Sequence, residues 1–160
     1  MVQNKLSPTH QTKIMTNLKS YYFAYGSNLS KEQMALRCPE SDYLISGRLS
    51  GYAWLINSGG YASVKPSSNA FVLGEVFTLS EQDIAYLDYY ECVSEGMYDK
   101  YILSIQTEEG LFDCLVYVAS DNDMGKPQAE YIERINAGIK SAKLPDDYVE
   151  QWIRPFVPEN

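Results

Sequence analysis

The stretch FVLGEVFTLSEQDIAYLDYYE, Phe71–Glu91, changes its hydrophobic period halfway along. Its first part, Phe71–Leu79, alternates well enough to be a strand with one buried face. A helix begins at Ser80, because Asp83 follows at the spacing of an N-terminal cap. One face of this helix carries, at helical spacing, Ile84, Leu87 and Glu91. A strand that leads directly into a helix predicts a domain that mixes both elements.

Upstream of this stretch, the sequence predicts a strand, a tight turn and a short helix. The strand begins at Tyr21 and is rich in aromatic residues, which favour strands. It ends at Gly26–Asn28, whose residue types tolerate turn geometry. Ser30 and Gln33 have the spacing of a capping box, so a helix starts at Ser30 and runs toward Arg37. A strand that presents backbone amides at a helix start is a natural anion-binding site.

The region between this helix and Phe71 is predicted to hold several short strands. Two strand-like runs surround Gly47 and Gly51, and a third ends at Pro66. The segment SVKPSSN, Ser63–Asn69, is interpreted as a loop. Gly74 is expected to mark either a bulge or a close approach of the backbone.

Downstream of Glu91, two further strands and two helices are predicted. The strands MYDKYILSIQT and LFDCLVYVA flank the turn Glu108–Gly110 and are expected to form a hairpin. An amphipathic helix runs from Pro127 to about Lys143, and PDDYVEQWI forms a last short helix. This order predicts an α+β fold with a mostly antiparallel, barrel-like sheet and flanking helices.

The composition is that of one compact domain with an aromatic interior. The chain has 160 residues, of which 45% are hydrophobic, and it contains 14 tyrosines. We expect residues 1–20 to form a disordered tail and residues 21–160 to form a single domain. Tyrosine rings with hydroxyl groups suit the walls of a cleft for a small polar ligand.

Charge and apolar patterning exclude two classes of partner. The formal net charge is −8, which argues against binding to nucleic acid. No apolar run reaches the length of about 18 residues that a membrane span requires, and residues 1–20 lack the apolar core of a signal peptide. We therefore expect neither a nucleic-acid partner nor a membrane. A homodimer is left open.

The cysteines and the histidine limit the chemistry. The three cysteines, Cys38, Cys92 and Cys114, have no CxxC spacing and fit neither a disulfide framework nor a zinc site, so a cytoplasmic setting is expected. The only histidine is His10, in the predicted tail. Catalysis through a Ser-His-Asp or Cys-His arrangement is therefore not expected. Carboxylates, tyrosines, lysines or thiols must move any protons.

Glu91 is the leading candidate for that work. If its helix continues to this position, the carboxylate faces a tyrosine-rich interior, and burial raises its pKa into the range of a general acid or base. If the helix frays at Tyr90, Glu91 instead lies in solvent, and the residues alone leave both alternatives open. Glu95 precedes Gly96 in a predicted turn and is expected to be exposed.

Two segments together resemble the γ-glutamylcyclotransferase family. YFAYGSN, Tyr22–Asn28, resembles the Tyr-Gly-Ser-Asn loop that follows the first strand of this family. LDYYECVSEGMY, Leu87–Tyr98, resembles its Leu-Asp-x-x-Glu-(x)4-Gly-x-Tyr segment. The two motifs stand in the order and separation of the family, and the resemblance extends from Tyr21 to about Ile153. It implies the same fold.

The resemblance also implies a reaction and a site. Members cyclise a γ-glutamyl amino acid or amide to 5-oxoproline and release the attached amino acid or amine, without a metal or a cofactor. Glu91 takes the catalytic position. The positions that the resemblance assigns to substrate binding are Tyr22, Phe23, Ala24, Tyr25, Gly26, Ser27, Asn28, Tyr98 and Tyr131.

Other interpretations of these residues stay open. Gly26 and Asn28 fit a turn of purely structural purpose, and Tyr25, Tyr98 and Tyr131 fit an ordinary aromatic core. A non-catalytic domain that binds a glutamate-like ligand fits the same residues. So does a related cyclotransferase that acts on γ-glutamylamines or on a biosynthetic intermediate, because the sequence does not decide the leaving group.

Overall fold

The computed structural model describes residues 4–5 and 19–160. The tail expected at residues 1–20 lies mostly outside the described residues. Its described part includes strand β1 (Asn4–Lys5), which pairs in antiparallel fashion with β5 (Tyr98–Thr107). The division into a tail and one domain at 21–160 stays a prediction.

Five strands close into a barrel. In addition to β5, they are β2 (Ser20–Ala24), β3 (Asp42–Ile56), β4 (Ala62–Leu79) and β6 (Gly110–Ala119). The strands pair in the order β5-β3-β4-β2-β6, and β6 pairs with β5 to complete the ring. All of these pairs are antiparallel except β2 and β6, which are parallel at Tyr22 and Leu115. The predicted barrel-like α+β fold is confirmed.

Four helices flank the barrel: α1 (Lys31–Arg37), α2 (Glu81–Tyr90), α3 (Ala129–Ala142) and α4 (Asp146–Tyr148). The last one continues into a π-helical segment at Val149–Ile153. The predicted caps are present. Ser30 accepts a hydrogen bond from the Gln33 amide, and Ser80 forms a reciprocal capping box with Asp83. Local side chains therefore fix where α1 and α2 begin. Among the described residues, none of the helices has the length and apolar character needed to cross a bilayer.

Two apolar clusters hold the fold together, one on each face of the sheet. The barrel cluster draws on all five strands and on α3 and the C-terminal helices, and it includes Phe23, Leu103 and Val116. The helix cluster packs α1 and α2 against β2, β4, β5 and β6, and it includes Tyr22 and Leu87. Because successive side chains of a strand point to opposite faces, Tyr22 and Phe23 belong to different clusters. Both faces of β2 are thus buried.

The prediction that Ser63–Asn69 forms a loop is wrong. The segment lies within the single long strand β4. Its pairing with β3 skips residues, since Ser50 pairs with Phe71 whereas Tyr52 pairs with Pro66. The extra residues form a bulge, which is where Pro66 and polar residues are tolerated in a strand. The two runs around Gly47 and Gly51 likewise form one strand, β3.

Gly74 marks a close backbone approach, one of the two expected alternatives. A Cβ atom at this position would clash with the Ala24 carbonyl oxygen and would lie 2.7 Å from the Phe23 ring. The missing side chain lets β2 and β4 approach each other where β2 leads into the turn at Gly26. The barrel therefore positions that turn directly.

Candidate active site

A cavity of about 360 Å³ opens where β2 and β6 end and where β4 and β5 begin. Helices contribute to its wall through the last residue of α1, the end of α2 and the first turns of α3. The volume suits a small molecule. Eight of the predicted site residues line the cavity: Tyr22, Tyr25, Gly26, Ser27, Asn28, Glu91, Tyr98 and Tyr131.

Phe23 and Ala24 do not line the cavity, so the structure does not support the predicted assignment of these two residues to the substrate site. Phe23 is buried in the barrel cluster and Ala24 in the helix cluster. The reason is that β2 is packed on both faces, so its side chains serve the two cores. Tyr22 lines the cavity at the edge of the helix cluster.

Glu91 lies immediately after the last residue of α2. Its backbone amide donates a hydrogen bond to the Leu87 carbonyl at 2.8 Å, which holds it in the final helical turn. Cys92 then adopts a left-handed conformation with φ of 51°, and the chain turns away. The Glu91 side chain is partly buried and lines the cavity, whereas Glu95 is exposed as expected. Of the two alternatives for Glu91, the structure shows the one that faces inward.

The environment of Glu91 gives it the pKa of a proton carrier. Burial raises the pKa of the carboxyl group from 4.5 to about 7, while the guanidinium groups of Arg37 and Arg134 act in the opposite direction. A group with this pKa exists in both protonation states near neutral pH, as a general acid or base requires.

The turn after β2 is a short 3₁₀ helix, Ser27–Leu29, capped by Gly26. Its first backbone amide to donate a backbone hydrogen bond is that of Leu29, to the Gly26 carbonyl at 3.1 Å. The amides of Gly26, Ser27 and Asn28 form no hydrogen bond with other described residues. Three residues that line the cavity therefore have backbone donors without a protein partner, an arrangement that can bind an anion.

The Asn28 side chain is held by three neighbours. Its Oδ1 atom accepts hydrogen bonds from Gln33 at 2.8 Å and from Arg37 at 3.1 Å. Because Arg37 can only donate, Oδ1 must face it, and the amide Nδ2 then donates to the Tyr22 hydroxyl at 3.1 Å. The turn, helix α1 and β2 are thus tied together at the cavity wall.

Three tyrosines use their hydroxyl proton within the protein. Tyr25 donates to the Tyr117 carbonyl at 2.5 Å, and Tyr98 donates to the Ala62 carbonyl at 2.7 Å. Tyr117 donates to Asp88 at 2.7 Å, and Asp88 in turn pairs with the buried Lys100 at 2.9 Å. A hydroxyl that has donated its proton can only accept from a ligand. These three groups therefore favour a donor such as an ammonium ion.

In two other tyrosines, the hydroxyl group accepts a hydrogen bond from the protein, so its proton remains available to a ligand in the cavity. Tyr22 accepts from Asn28, and Tyr131 accepts from the Ala62 amide at 3.1 Å. Each can donate to a carboxylate or carbonyl oxygen. Burial raises the pKa of Tyr131 to about 12, and burial likewise raises the pKa of Tyr22 well above its usual value, with the Glu91 charge adding to both shifts. The hydroxyls stay neutral at physiological pH and act as hydrogen-bonding groups.

Several cavity residues were not expected from the sequence: Arg37, Tyr61, Ala62, Cys92, Met97, Tyr117 and Arg134. For Arg37, the sequence pattern indicates only the end of a helix. Arg134 follows Tyr131 by three residues, so helical spacing already places both on one face. Tyr117 reaches the site because β6 lies beside β2, a pairing that no local pattern indicates. Arg48 is exposed outside the cavity, and its guanidinium lies 4.1 Å from the Phe71 ring centre.

The two tyrosines before Glu91 differ in position. Tyr90 lines the cavity, and the guanidinium of Arg37 lies 4.5 Å from its ring centre. Tyr89 is 79% exposed and points elsewhere. Of these two tyrosines, only Tyr90 therefore contributes to the cavity wall next to Glu91.

Comparisons with known proteins agree with this geometry. The model of the AIG2-like family matches residues 71–152. The γ-glutamylcyclotransferases of Mus musculus and Homo sapiens are each 30% identical over 141 residues, which cover 81% of this chain and 75% of theirs. A solved γ-glutamyl cyclotransferase structure superposes with a TM-score of 0.78 at 28% identity and covers 89% of this chain and 90% of its own. The chain belongs to the AIG2-like family and, within it, to the γ-glutamylcyclotransferases.

Proposed function

We propose that this protein is a γ-glutamylcyclotransferase in which Glu91 carries the proton. The observation that carries the proposal is the position of Glu91, a carboxyl group with a pKa of about 7 that lines one cavity together with the amides of Gly26–Asn28. Family membership supports it, because relatives that share most of this chain are named for this reaction.

The substrate supplies its own nucleophile. The α-amine of the γ-glutamyl group attacks the carbonyl carbon of its own side chain, a five-membered ring closes, and the amide bond to the leaving group breaks. The products are 5-oxoproline and a free amino acid or amine. The protein must therefore fold the substrate so that amine and carbonyl meet, which is catalysis by positioning.

The pattern of hydroxyl groups supports one orientation of the glutamyl group. Tyr25, Tyr98 and Tyr117 offer acceptors, which suit the α-ammonium group. Tyr22 and Tyr131 offer donors, which suit carboxylate and carbonyl oxygens. The amides of the turn at Gly26–Asn28 add donors for the α-carboxylate of the glutamyl group and for the oxyanion that develops during attack.

Glu91 serves both proton steps. As a carboxylate it removes a proton from the α-ammonium group, which frees the amine to attack, and as a carboxylic acid it gives that proton to the leaving nitrogen when the amide bond breaks. The ring nitrogen loses its second proton to water and the released amine gains one from water, so the overall reaction is balanced in protons. A pKa of about 7 allows both directions at neutral pH. Cys92 adjoins Glu91, but the reaction requires no protein nucleophile.

The direct experiment is to incubate the purified protein with γ-glutamyl-alanine and to measure 5-oxoproline and alanine. We expect both products in equal amounts from the wild type. We expect turnover by Glu91→Gln to fall by at least about 100-fold, because proton transfer by a positioned group contributes about 10²–10⁴-fold. Glu95→Gln is the matched control, since Glu95 is the same residue type on the exposed turn and should retain full activity. Saturable binding without product in the wild type would instead identify a binding domain.

For the same protein we propose a reducing, cytoplasmic setting. All three cysteines are free thiols in the described structure, and two of them, Cys38 and Cys114, are buried. A homodimer stays a prediction that light scattering on the purified protein can test.

A further inference from the structure

Two of the four arginines of this acidic chain line the cavity. Arg37 ends helix α1, and Arg134 lies in the second turn of α3, so they come from different helices. Glu91 is the acidic residue that lines the cavity with them. A site with two guanidinium groups and one carboxyl group favours a ligand with more than one carboxylate.

Arg37 contacts the turn at Gly26–Asn28, to which the proposed function assigns binding of the glutamyl group. Its Nη1 atom donates to Asn28 at 3.1 Å, and its guanidinium lies 4.5 Å from the centre of the Tyr90 ring. A carboxylate held by the amides of Gly26–Asn28 lies next to this guanidinium. Arg37 therefore suits the α-carboxylate of the glutamyl group itself.

Arg134 has most of its donors uncommitted. Its guanidinium lies 5.4 Å from the centre of the Tyr131 ring, which also lines the cavity. Its ion pair with Glu130, the one it forms among the described residues, is long at 3.5 Å from Nη1, and the Glu130 side chain is 76% exposed. Its Nε atom is buried and has no hydrogen-bond partner among the described residues. A surface ion pair of this kind contributes little, so the guanidinium is available to a ligand.

We infer that Arg134 binds the carboxylate of the leaving group and is thereby the residue that determines the discrimination between γ-glutamyl amino acids and γ-glutamylamines. This inference rests on the proposed function. A γ-glutamyl amino acid carries two carboxylates and one ammonium group, which match two guanidinium groups and the acceptor hydroxyls. A γ-glutamylamine carries one carboxylate and leaves Arg134 without a ligand partner.

The expected discrimination follows from the chemistry of the arginine fork. A guanidinium binds a carboxylate through two parallel, charge-assisted hydrogen bonds. A site built for this contact disfavours an analogue that lacks the group, because the polar atoms of the site are then left unpaired. Hydrogen bonds to charged groups correspond to a preference of about 10- to 100-fold in kcat/KM.

The test compares two substrates that differ only in the carboxylate of the leaving group, γ-glutamyl-alanine and γ-glutamyl-ethylamine. For the wild type and Arg134→Gln, kcat/KM is measured from 5-oxoproline release with both. Because Arg134 also lowers the pKa of Glu91, kcat/KM of each protein is taken at a pH above its own Glu91 midpoint. There we expect Arg134→Gln to lower kcat/KM for γ-glutamyl-alanine by about 10- to 100-fold and to change that for γ-glutamyl-ethylamine by less than about twofold. Comparing the ratio between proteins removes the difference in intrinsic reactivity between the two substrates.

Three further variants complete the design. Arg48→Gln removes a positive charge outside the cavity and should leave both values unchanged. Arg134→Lys retains a charge without the fork and should recover part of the preference. Arg37→Gln should lower both values together, since both substrates carry the glutamyl carboxylate. Thermal unfolding of each variant checks its fold.

An equal loss with both substrates in Arg134→Gln would overturn the inference while leaving the proposed function intact. A substrate-selective loss in Arg37→Gln rather than Arg134→Gln would overturn the assignment in the same way. If the wild type releases 5-oxoproline from neither substrate, the proposed function itself fails, and with it the basis of the inference.

Discussion

Arg37 and Glu91, one at the end of α1 and the other just after α2, line the same cavity with opposite charges. Burial raises the pKa of Glu91 to about 7, and the Arg37 guanidinium is the strongest influence that keeps it from rising further. Burial and the Arg37 charge together place the pKa of Glu91 near neutral pH, where the carboxyl group can both accept and donate a proton.

The first prediction concerns the pH dependence of the reaction. Because Glu91 must be ionised to accept the amine proton, kcat/KM of the wild type should rise with pH through a midpoint near 7. The measurement is a profile of 5-oxoproline release from pH 5.5 to 8.5. A rate that is already maximal at pH 5.5 would show that a carboxyl group with an ordinary pKa, rather than Glu91 in this cavity, limits the reaction.

The second prediction removes the charge of Arg37. Without this guanidinium, burial acts on Glu91 with less opposition, so the pKa of Glu91 rises further and the midpoint of the pH profile moves upward. Since Arg37→Gln also weakens substrate binding, the informative quantity is the position of the midpoint and not the height of the curve. Arg48→Gln should leave the midpoint in place, and a midpoint shared by both variants would contradict the electrostatic link.

The third prediction concerns stability. The unfolded chain releases the Glu91 proton near pH 4.5, whereas the folded protein holds it until about pH 7, so the folded state loses stability as pH rises between these values. The cost reaches up to about 3 kcal/mol above pH 7. Glu91→Gln avoids it and should be more stable than the wild type at pH 8, with the gain shrinking toward pH 5. Urea unfolding at both pH values measures the difference, and a gain that does not vary with pH would argue against a raised pKa.

The fourth prediction concerns the ion pair beneath the cavity. Lys100 is only 6% exposed and pairs with Asp88 at 2.9 Å, while Asp88 also holds the Tyr117 hydroxyl. Asp88→Asn takes away one countercharge of a buried ammonium group, together with the acceptor of the Tyr117 hydroxyl, and should lower the free energy of unfolding by about 3 kcal/mol. Asp42→Asn, which breaks the exposed pair with Lys19, should cost less than about 1 kcal/mol. Equal losses in the two variants would show that the buried pair has no special role.

The fifth prediction concerns the turn. A methyl group at Gly26 would lie 3.0 Å from the Ala62 Cβ atom and 3.4 Å from the Tyr131 hydroxyl oxygen. Gly26→Ala should therefore displace the turn amides and lower kcat/KM by about 10- to 100-fold, because small misplacements of catalytic groups have effects of this size. Its free energy of unfolding should fall by about 1–2 kcal/mol. Undiminished turnover would show that the amides of this turn do not contact the substrate.

The sequence predicts the parts of this molecule that local chemistry determines. Ser30 and Ser80 cap the helices that follow them, and the alternation in Phe71–Leu79 appears as a strand. The motif resemblance identifies part of the cavity wall, because Glu91 and the turn at Gly26–Asn28 belong to the two motifs. Local patterns do not reveal pairings between distant segments, such as the parallel contact of β2 with β6 that brings Tyr117 to the site.

The errors have physical causes of the same kind. Ser63–Asn69 is polar and contains Pro66, yet pairing with β3 keeps it extended around a bulge. Phe23 lies within the motif, but the strand period turns its ring into the barrel. Whether Glu91 faces inward depends on how α2 docks against β4 and β6, which no residue of the helix determines alone. Tertiary packing decides each of these points.

Ala62 holds two tyrosines of opposite polarity through its backbone, accepting from Tyr98 at its carbonyl and donating to Tyr131 at its amide. Peptide groups persist through almost every substitution, so the hydrogen-bonding character of this wall is inherited with the chain trace and does not depend on the side chain at position 62. A side chain of different size at this position changes the cavity volume available to a leaving group, while the hydroxyl groups of Tyr98 and Tyr131 keep their hydrogen-bond directions. New substrate ranges can therefore evolve in this fold through changes in cavity volume, without a change in the hydrogen-bonding pattern of the wall.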